Sequence, residues 1–365
     1  MISAHRIKYT ISLLVMAGLL QVTCVFRMVG EDAWMVVLAS VGILVLIAWM
    51  YKNLLSLPGP DFTGGSVFIY CFGKTLGWIV TVLYMLYFVF SAVIDLRNIS
   101  NVISGGVFPE MPVFVIPALM SLALIYAARK GAPAISALGF IIFAVILVLQ
   151  FLVILLQVSQ IDWQNYLPMV KSEPMDFVHA IFYCVTVPMG KIALVLFLFP
   201  VQSPKELVPT TKTYIFGALF GGLLMLFVVL RDTGVLGVLV RYLSNTIFEA
   251  VQLLDAFGFL SRIEVVFIFT FFLYTIFNLS LCCSISSSIF CNIFKLKDVR
   301  NIWVIAGTAA VIFGSAAFIC ETAEGLRVIM RNVQPFISVW FLILFPAIAL
   351  FVGKKNCTGV SPHGS

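Results

Sequence analysis

Ten apolar runs, each close to the length that crosses a bilayer, follow one another along this chain at roughly 9–27, 33–57, 77–103, 112–128, 133–158, 176–200, 212–230, 263–290, 302–320 and 333–353. A helix of about 20 apolar residues spans the hydrocarbon. In lipid every backbone N–H and C=O must find an internal partner, so runs of this kind admit helices and little else. Composition agrees: 62% of residues are hydrophobic and 10% charged, where a soluble domain carries about 45–50% and about 25%. The expected fold is an all-α polytopic membrane protein, with one transmembrane domain over residues 1–355 and a disordered polar tail at 356–365.

The loops between the runs carry a topology signal. With the N-terminus inside, the inner segments hold thirteen basic residues (Arg6, Lys8, Lys52, Lys74, Arg129, Lys130, Lys205, Lys212, Lys295, Lys297, Arg300, Lys354 and Lys355) against three acidic ones (Asp61, Glu206 and Asp298). That asymmetry follows the positive-inside rule and places both termini in the cytoplasm. The net charge of +6 thus belongs to topology and not to nucleic-acid binding. The first run follows His5, Arg6 and Lys8 as a signal peptide would, but no small-residue cleavage site closes it, and it is expected to be retained. Two longer outer segments stand out: a turn-rich connector with interfacial aromatics at 159–176, and an amphipathic stretch at 239–262 expected to lie as a helix on the outer surface.

Enzymatic readings find little support. The eight cysteines show no paired C-x-x-C framework, and His5, His179 and His363 are too scattered for a ligand cluster. No Walker A, G-x-S-x-G or H-E-x-x-H pattern occurs. Neither a metal nor a cofactor is indicated.

What does point to a site is the sixth run. Within it Thr186-Val187-Pro188-Met189-Gly190-Lys191 removes a backbone donor, loosens the helix and introduces a charge near mid-membrane. A plain anchor needs none of these, and a break at this depth is tolerated where protein or a water-filled cavity satisfies the freed groups. Lys191 either snorkels to the inner interface or serves as a fixed positive charge, holding a carboxylate or standing in for a coupling cation. In the first run, Ala17-Gly18-Leu19 and the following Gln21 and Thr23 form the matching interruption. Ten spans divide into five plus five, and breaks in the first and sixth are the mark of an inverted repeat with its ligand site at the broken helices. Tyr84 and Tyr87 of the third span and Tyr274 and Asn278 of the eighth complete the candidate ligand-binding set. Gly217-x-x-x-Gly221 and the serines of the eighth span read as helix packing and backbone bonding.

Several stretches in order resemble one family. They are Glu31-Asp-Ala-Trp34, Gly73-Lys-Thr-Leu-Gly77 running into Leu83-Tyr-Met-Leu-Tyr87 and Leu96-Arg97, the Phe197-Leu-Phe-Pro200 exit with Lys205, and Arg262-Ile-Glu264. Together they are similar to the B subunits of bacterial spore germinant receptors, the spore germination permeases of the amino acid–polyamine–organocation transporter superfamily. The resemblance covers roughly residues 5–353. It implies the five-plus-five inverted-repeat (LeuT-like) fold, residence in the spore inner membrane, a complex with A and C subunits, and recognition of a nutrient germinant, commonly an amino acid, at the broken helices. A stand-alone amino acid secondary transporter is the competing reading, because the same fold serves both.

Overall fold

A computed structural model of the protein describes residues 4–57, 66–106, 112, 114–167, 170–198, 210–252, 263–296, 298, 301–320 and 322–359. Its helices in chain order are α1 (Ala4–Met16), α2 (Thr23–Val29), α3 (Ala33–Leu55), α4 (Ser66–Phe72), α5 (Lys74–Gly106), α6 (Val115–Lys130), α7 (Ala132–Gln157), α8 (Pro174–Thr186), α9 (Thr211–Leu236), α10 (Thr246–Gln252), α11 (Ile263–Ile293), α12 (Ile302–Phe318), α13 (Ala323–Asn332), α14 (Gln334–Val339) and α15 (Phe345–Gly359). Among the described residues seven stretches are, by length and composition, long and apolar enough to cross a membrane. The first of them, Arg6–Leu55, contains two expected spans, and the shorter α6 and α12 lie along the fourth and ninth.

The first stretch turns back at Gly30, whose φ of +60° suits a residue without a Cβ. Packing against α9 gives the directions. Lys8 and Ile11 meet Gly217, Ser12 meets Gly221, and Gly30 lies at Arg241, whereas Val41 meets Gly222. Thus α1 and α2 run with α9 and α3 runs against it. A Cβ at Gly217 would stand 2.8 Å from the Lys8 carbonyl oxygen, and the Ser12 hydroxyl donates to the Gly217 carbonyl at 2.9 Å. The small-residue face is a packing face. The eighth-span hydroxyls behave similarly: Ser280 and Ser288 bond back to the carbonyls four residues earlier, and Ser287 reaches Thr308 of α12.

The first and sixth spans are both broken. Between α1 and α2 the chain leaves α geometry at Ala17 and Gly18 and continues as a 3-10 turn, Leu19–Val22. After α8 it turns at Val187 and Pro188 and runs as 3-10 helix from Met189 to Phe197. Nine residues of 3-10 geometry is long for a form usually confined to 3–4 residues, and it places this segment under structural constraint. Proline accounts for the break, since its nitrogen cannot bond back to the preceding turn. The two interruptions lie against each other, with Gly18 on the Pro188 carbonyl and the Tyr183 hydroxyl donating to the Gln21 carbonyl at 3.1 Å. The spans therefore cross in opposite directions, as an inverted repeat demands.

We call the end of the bundle where α1 begins proximal and the end carrying Gly30 distal. At the distal end Asp32 accepts the backbone N–H groups of Val170, Lys171 and Ser172 at 3.0, 2.8 and 2.9 Å, and Lys171 pairs with Glu31 at 3.1 Å. The Glu31–Asp32 pair thereby ties the connector before α8 to the start of α3. Burial, and then the charge of Asp232, push the Tyr166 phenol above its ordinary range, so it remains an O–H donor to the Leu230 carbonyl at 2.8 Å.

Some local expectations change. The stretch from 239 does not form one surface helix: a 3-10 turn over Gly237–Arg241 precedes α10, whose Ile247, Phe248, Ala250 and Val251 are buried against the bundle, and residues 253–262 lie outside the described set. Its apolar stripe finds protein instead of the membrane surface. The segment after α3, expected as a plain inner loop, contains α4, which buries Phe68 and Cys71. The last helix continues to Gly359, past the expected start of the polar tail, and 360–365 lie outside the described residues.

The contact between the breaks is testable. A Cβ on Gly18 falls well inside van der Waals contact with the Pro188 carbonyl oxygen, whereas one on Gly42 meets nothing within 4 Å among the described residues. Gly18→Ala is expected to lose about 1–3 kcal/mol of stability through overpacking, while Gly42→Ala is neutral or slightly stabilising. Thermal unfolding of the two detergent-purified variants checks this, and equal midpoints would remove the contact.

Candidate functional site

Asp95 lies on the long helix α5, and its carboxylate is the point on which four spans converge. Lys191 of the sixth span donates to Oδ2 at 2.6 Å, Asn278 of the eighth donates Nδ2–H to the same oxygen at 2.7 Å, and Gln21 of the first donates Nε2–H to Oδ1 at 2.9 Å. The side chains of Lys191 and Asp95 are only 4% and 5% exposed. A buried ion pair recovers its desolvation only where geometry is good and further hydrogen bonds occupy the remaining lone pairs. The two amides supply those bonds.

The breaks bring these groups together. Lys191 follows Pro188 within one turn of the 3-10 segment, and Gln21 follows Gly18 inside the other, its own N–H donating to the Gly18 carbonyl at 2.9 Å. Asp95 lies two helical turns beyond Tyr87 on one face of α5. A carboxylate accepts only, so Gln21 and Asn278 must both turn their NH2 groups toward it. Their oxygens, Gln21 Oε1 and Asn278 Oδ1, are consequently left buried without a hydrogen-bond partner among the described residues. An unsatisfied buried acceptor costs about 1–3 kcal/mol, which a bound N–H or O–H donor would recover. The cluster is neutral overall and offers acceptors.

The remaining residues expected at the site fall into two groups. Ala17, Leu19 and Val187 are buried apolar wall beside the two breaks, Gly18 and Pro188 are the contact itself, and the Thr186 hydroxyl bonds back to the Phe182 carbonyl at 2.6 Å. Gly190 lies under the Tyr87 hydroxyl, which reaches Ser338 Oγ at 3.2 Å while its ring stacks on Phe341 at 4.5 Å between centroids. Tyr84 is farther toward the proximal end, among Phe68, Phe88 and Phe197, and donates to the Phe341 carbonyl at 2.6 Å. It belongs to a packing cluster rather than to the Asp95 group. Tyr274, one turn before Asn278, is buried, and its hydroxyl has no hydrogen-bond partner among the described residues.

Sequence reasoning missed Asp95 and left Gln21 as a mere interruption. The signal was present: the expense that singled out Lys191 applies equally to an aspartate inside the third span, and an intramembrane base calls for an acid. With Asp95 paired to it, Lys191 does not snorkel.

A helical membrane protein whose first and sixth spans break side by side, with polar groups gathered at the break, has the architecture of a broken-helix transporter-type protein. The family model described as spore germination protein, Spore_permease, matches residues 7–319. The chain belongs to that family. It is 24% identical over 329 residues to spore germination protein KB of Bacillus subtilis (strain 168), across 89% of this chain and 87% of that one. Among solved structures it is similar to a nucleobase-cation-symport-1 family transporter in a closed conformation with bromovinylhydantoin bound, at TM-score 0.52 and 14% identity over 98% of this chain and 94% of that one. It is also similar to the manganese transporter of Eremococcus coleocola in complex with an aromatic bis-isothiourea substituted compound, at TM-score 0.53 and 13% identity over 99% and 89%. At these identities the structures establish the fold.

The pair and its amides define a coupling test. Asp95→Asn or Lys191→Met alone strands one buried partner and should destabilise by about 3–5 kcal/mol, whereas the double variant should regain most of that loss. Unfolding of the three variants in one detergent measures the coupling; simple additivity would mean that the two groups do not interact.

Proposed function

We propose that this chain is the membrane-embedded B subunit of a spore nutrient germinant receptor, and that it binds a small nutrient where the two broken helices meet the Asp95 cluster. The observation carrying this reading is the convergence of four spans on one buried carboxylate beside the Gly18–Pro188 contact, with two amide oxygens left as acceptors. Membership of the spore germination protein family supports the receptor role. Through the same kinship the partners are an A and a C subunit, the location is the spore inner membrane, and the loop charges put both termini in the cytoplasm.

The chemistry narrows the ligand. Because Asp95 neutralises Lys191, the site presents no net charge to the solute, and a ligand of zero net charge with N–H donors fits it best. An amino acid zwitterion is of that kind. Lys191 then acts less as a clamp for the ligand's carboxylate than as a tethered cation, its ammonium placed beside a carboxylate where a coupling ion would otherwise be required.

Ligand-proximal and structural roles separate at Asn278. Asn278→Ala removes one donor to Asp95 and one free acceptor, and should raise the half-maximal nutrient concentration by about five- to a hundredfold, the equivalent of about 1–3 kcal/mol. The measurement is a nutrient screen of spores carrying this chain and its two partner subunits as the sole receptor, with membrane abundance checked by immunoblot. An unchanged midpoint at equal abundance would remove the cluster from the ligand site. The second reading, an independent amino acid transporter, rests on the two transporter structures that share the fold. Accumulation of a labelled amino acid by proteoliposomes holding this chain alone would establish it.

A further inference from the structure

Directly distal to the Asp95 cluster the helices part. A bowl of 340 Å3 opens between α2 and α13, lined by Cys24, Arg27, Glu324, Arg327, Val328 and Arg331. Below it, sharing Cys24 and Arg327, lies a throat of only 30 Å3, bordered by Leu20 and Thr23 of the first span and by Asn98 and Asn101 of α5. Leu20 adjoins Gln21, and Asn98 lies one turn past Asp95. The throat therefore ends one residue or one turn from the groups that hold the buried carboxylate, none of which lines it, and in this conformation it has room for little more than a water molecule.

The charge in the bowl is unbalanced. Glu324 is the one acid among its lining residues, and a single oxygen of that carboxylate serves two guanidinium groups, Arg327 Nη1 at 2.5 Å and Arg27 Nη1 at 3.4 Å. Arg27 and Arg327 are further held by the carbonyls of Leu243 and Ser244. Arg331 makes no hydrogen bond or ion pair among the described residues and is exposed. Three guanidinium groups against one carboxylate leave two positive charges over a concavity of ligand size. Arginine presents a planar fork that matches a carboxylate in two-point contact.

We infer that this bowl is a carboxylate-binding entry site, at which Arg331 and its neighbours take up a small solute by its carboxylate before the solute reaches the throat. The inference goes beyond the Asp95 reading. It predicts that the distal entrance selects for anions even though the cluster beneath is neutral.

Val328 lines the bowl and is half exposed, so it can report the local field. In a cysteine-free chain carrying Val328→Cys, reconstituted in phosphatidylcholine nanodiscs, an anionic methanethiosulfonate reagent should react about tenfold faster than a cationic one of similar size at low ionic strength, and the bias should shrink as salt rises. Succinate should slow the labelling relative to chloride at matched ionic strength. Arg331→Gln should cut the bias by about threefold and weaken the protection, while Arg331→Lys should retain the bias. The reagents read the field in the bowl and not occupancy of the buried cluster, so the bias separates failure of the bowl from failure of the Asp95 site. Equal reaction rates for the two reagents, or a bias indifferent to Arg331→Gln, would overturn the inference. Protection by phosphatidylglycerol in the nanodisc but not by succinate would overturn it too, by assigning the arginines to a lipid headgroup.

Discussion

A carboxylate enclosed in a membrane helix bundle is the constraint on which this structure turns. Asp95 is tolerable only because one ammonium and two amide groups reach it, and each comes from a different span. Straight helices would have to deliver those groups by side-chain length alone. Two of the three instead come from segments that have left α geometry, the turn after Gly18 and the 3-10 run after Pro188. The breaks and the carboxylate are therefore one arrangement: the breaks supply donors at mid-membrane, and the carboxylate holds the broken segments in register.

The same arrangement extends through α5. Tyr84 and Tyr87 lie on the face of that helix that leads to Asp95, and their hydroxyls bind the Phe341 carbonyl and Ser338 Oγ of the tenth span. Tyr51 of α3 binds the neighbouring Leu342 carbonyl at 2.8 Å. Phe341 and Leu342 belong to a π-helical turn, Trp340–Leu344, where the wider coil frees carbonyls that an α-helix would keep for itself. Two spans, the second and the third, are thus fastened by hydroxyls and aromatic stacking at or beside an irregular turn of the tenth. A displacement of α5 at Asp95 cannot occur without disturbing that turn.

Much of this was legible in the residues. Apolar run length revealed the spans, Pro188 and Gly190 the sixth break, and the five-plus-five division directed attention to Gly18, where a single glycine says little by itself. Hidden from such reasoning were the pairings, because a carboxylate in one span and a lysine ninety-six positions later share no local pattern. Asp95 was read as part of an apolar run and Lys191 as a lone charge, each costly to bury and neither explained alone. Tyr84 shows the converse limit: periodicity places it on the same face as Asp95 without saying how far toward the proximal end it lies. The stretch from 239 misled for a third reason, since an amphipathic pattern records that one side is covered and not whether lipid or protein covers it.

Span one joins the two polar levels of the molecule. Its break presents Gln21 to the cluster, while Leu20, Thr23, Cys24 and Arg27, within two turns, line the throat and the bowl above it. The distal half of this span, α2, is a short helix bounded by the Gly18 turn at one end and Gly30 at the other, both places where the backbone has departed from helix. Its polar ties lie at its two ends: Gln21 to Asp95 at the base and Arg27 to Glu324 and the Leu243 carbonyl at the top, with Val25, Phe26 and Val29 buried between them. A solute that took up the Gln21 oxygen and drew on the arginines would act on both ends of one short helix.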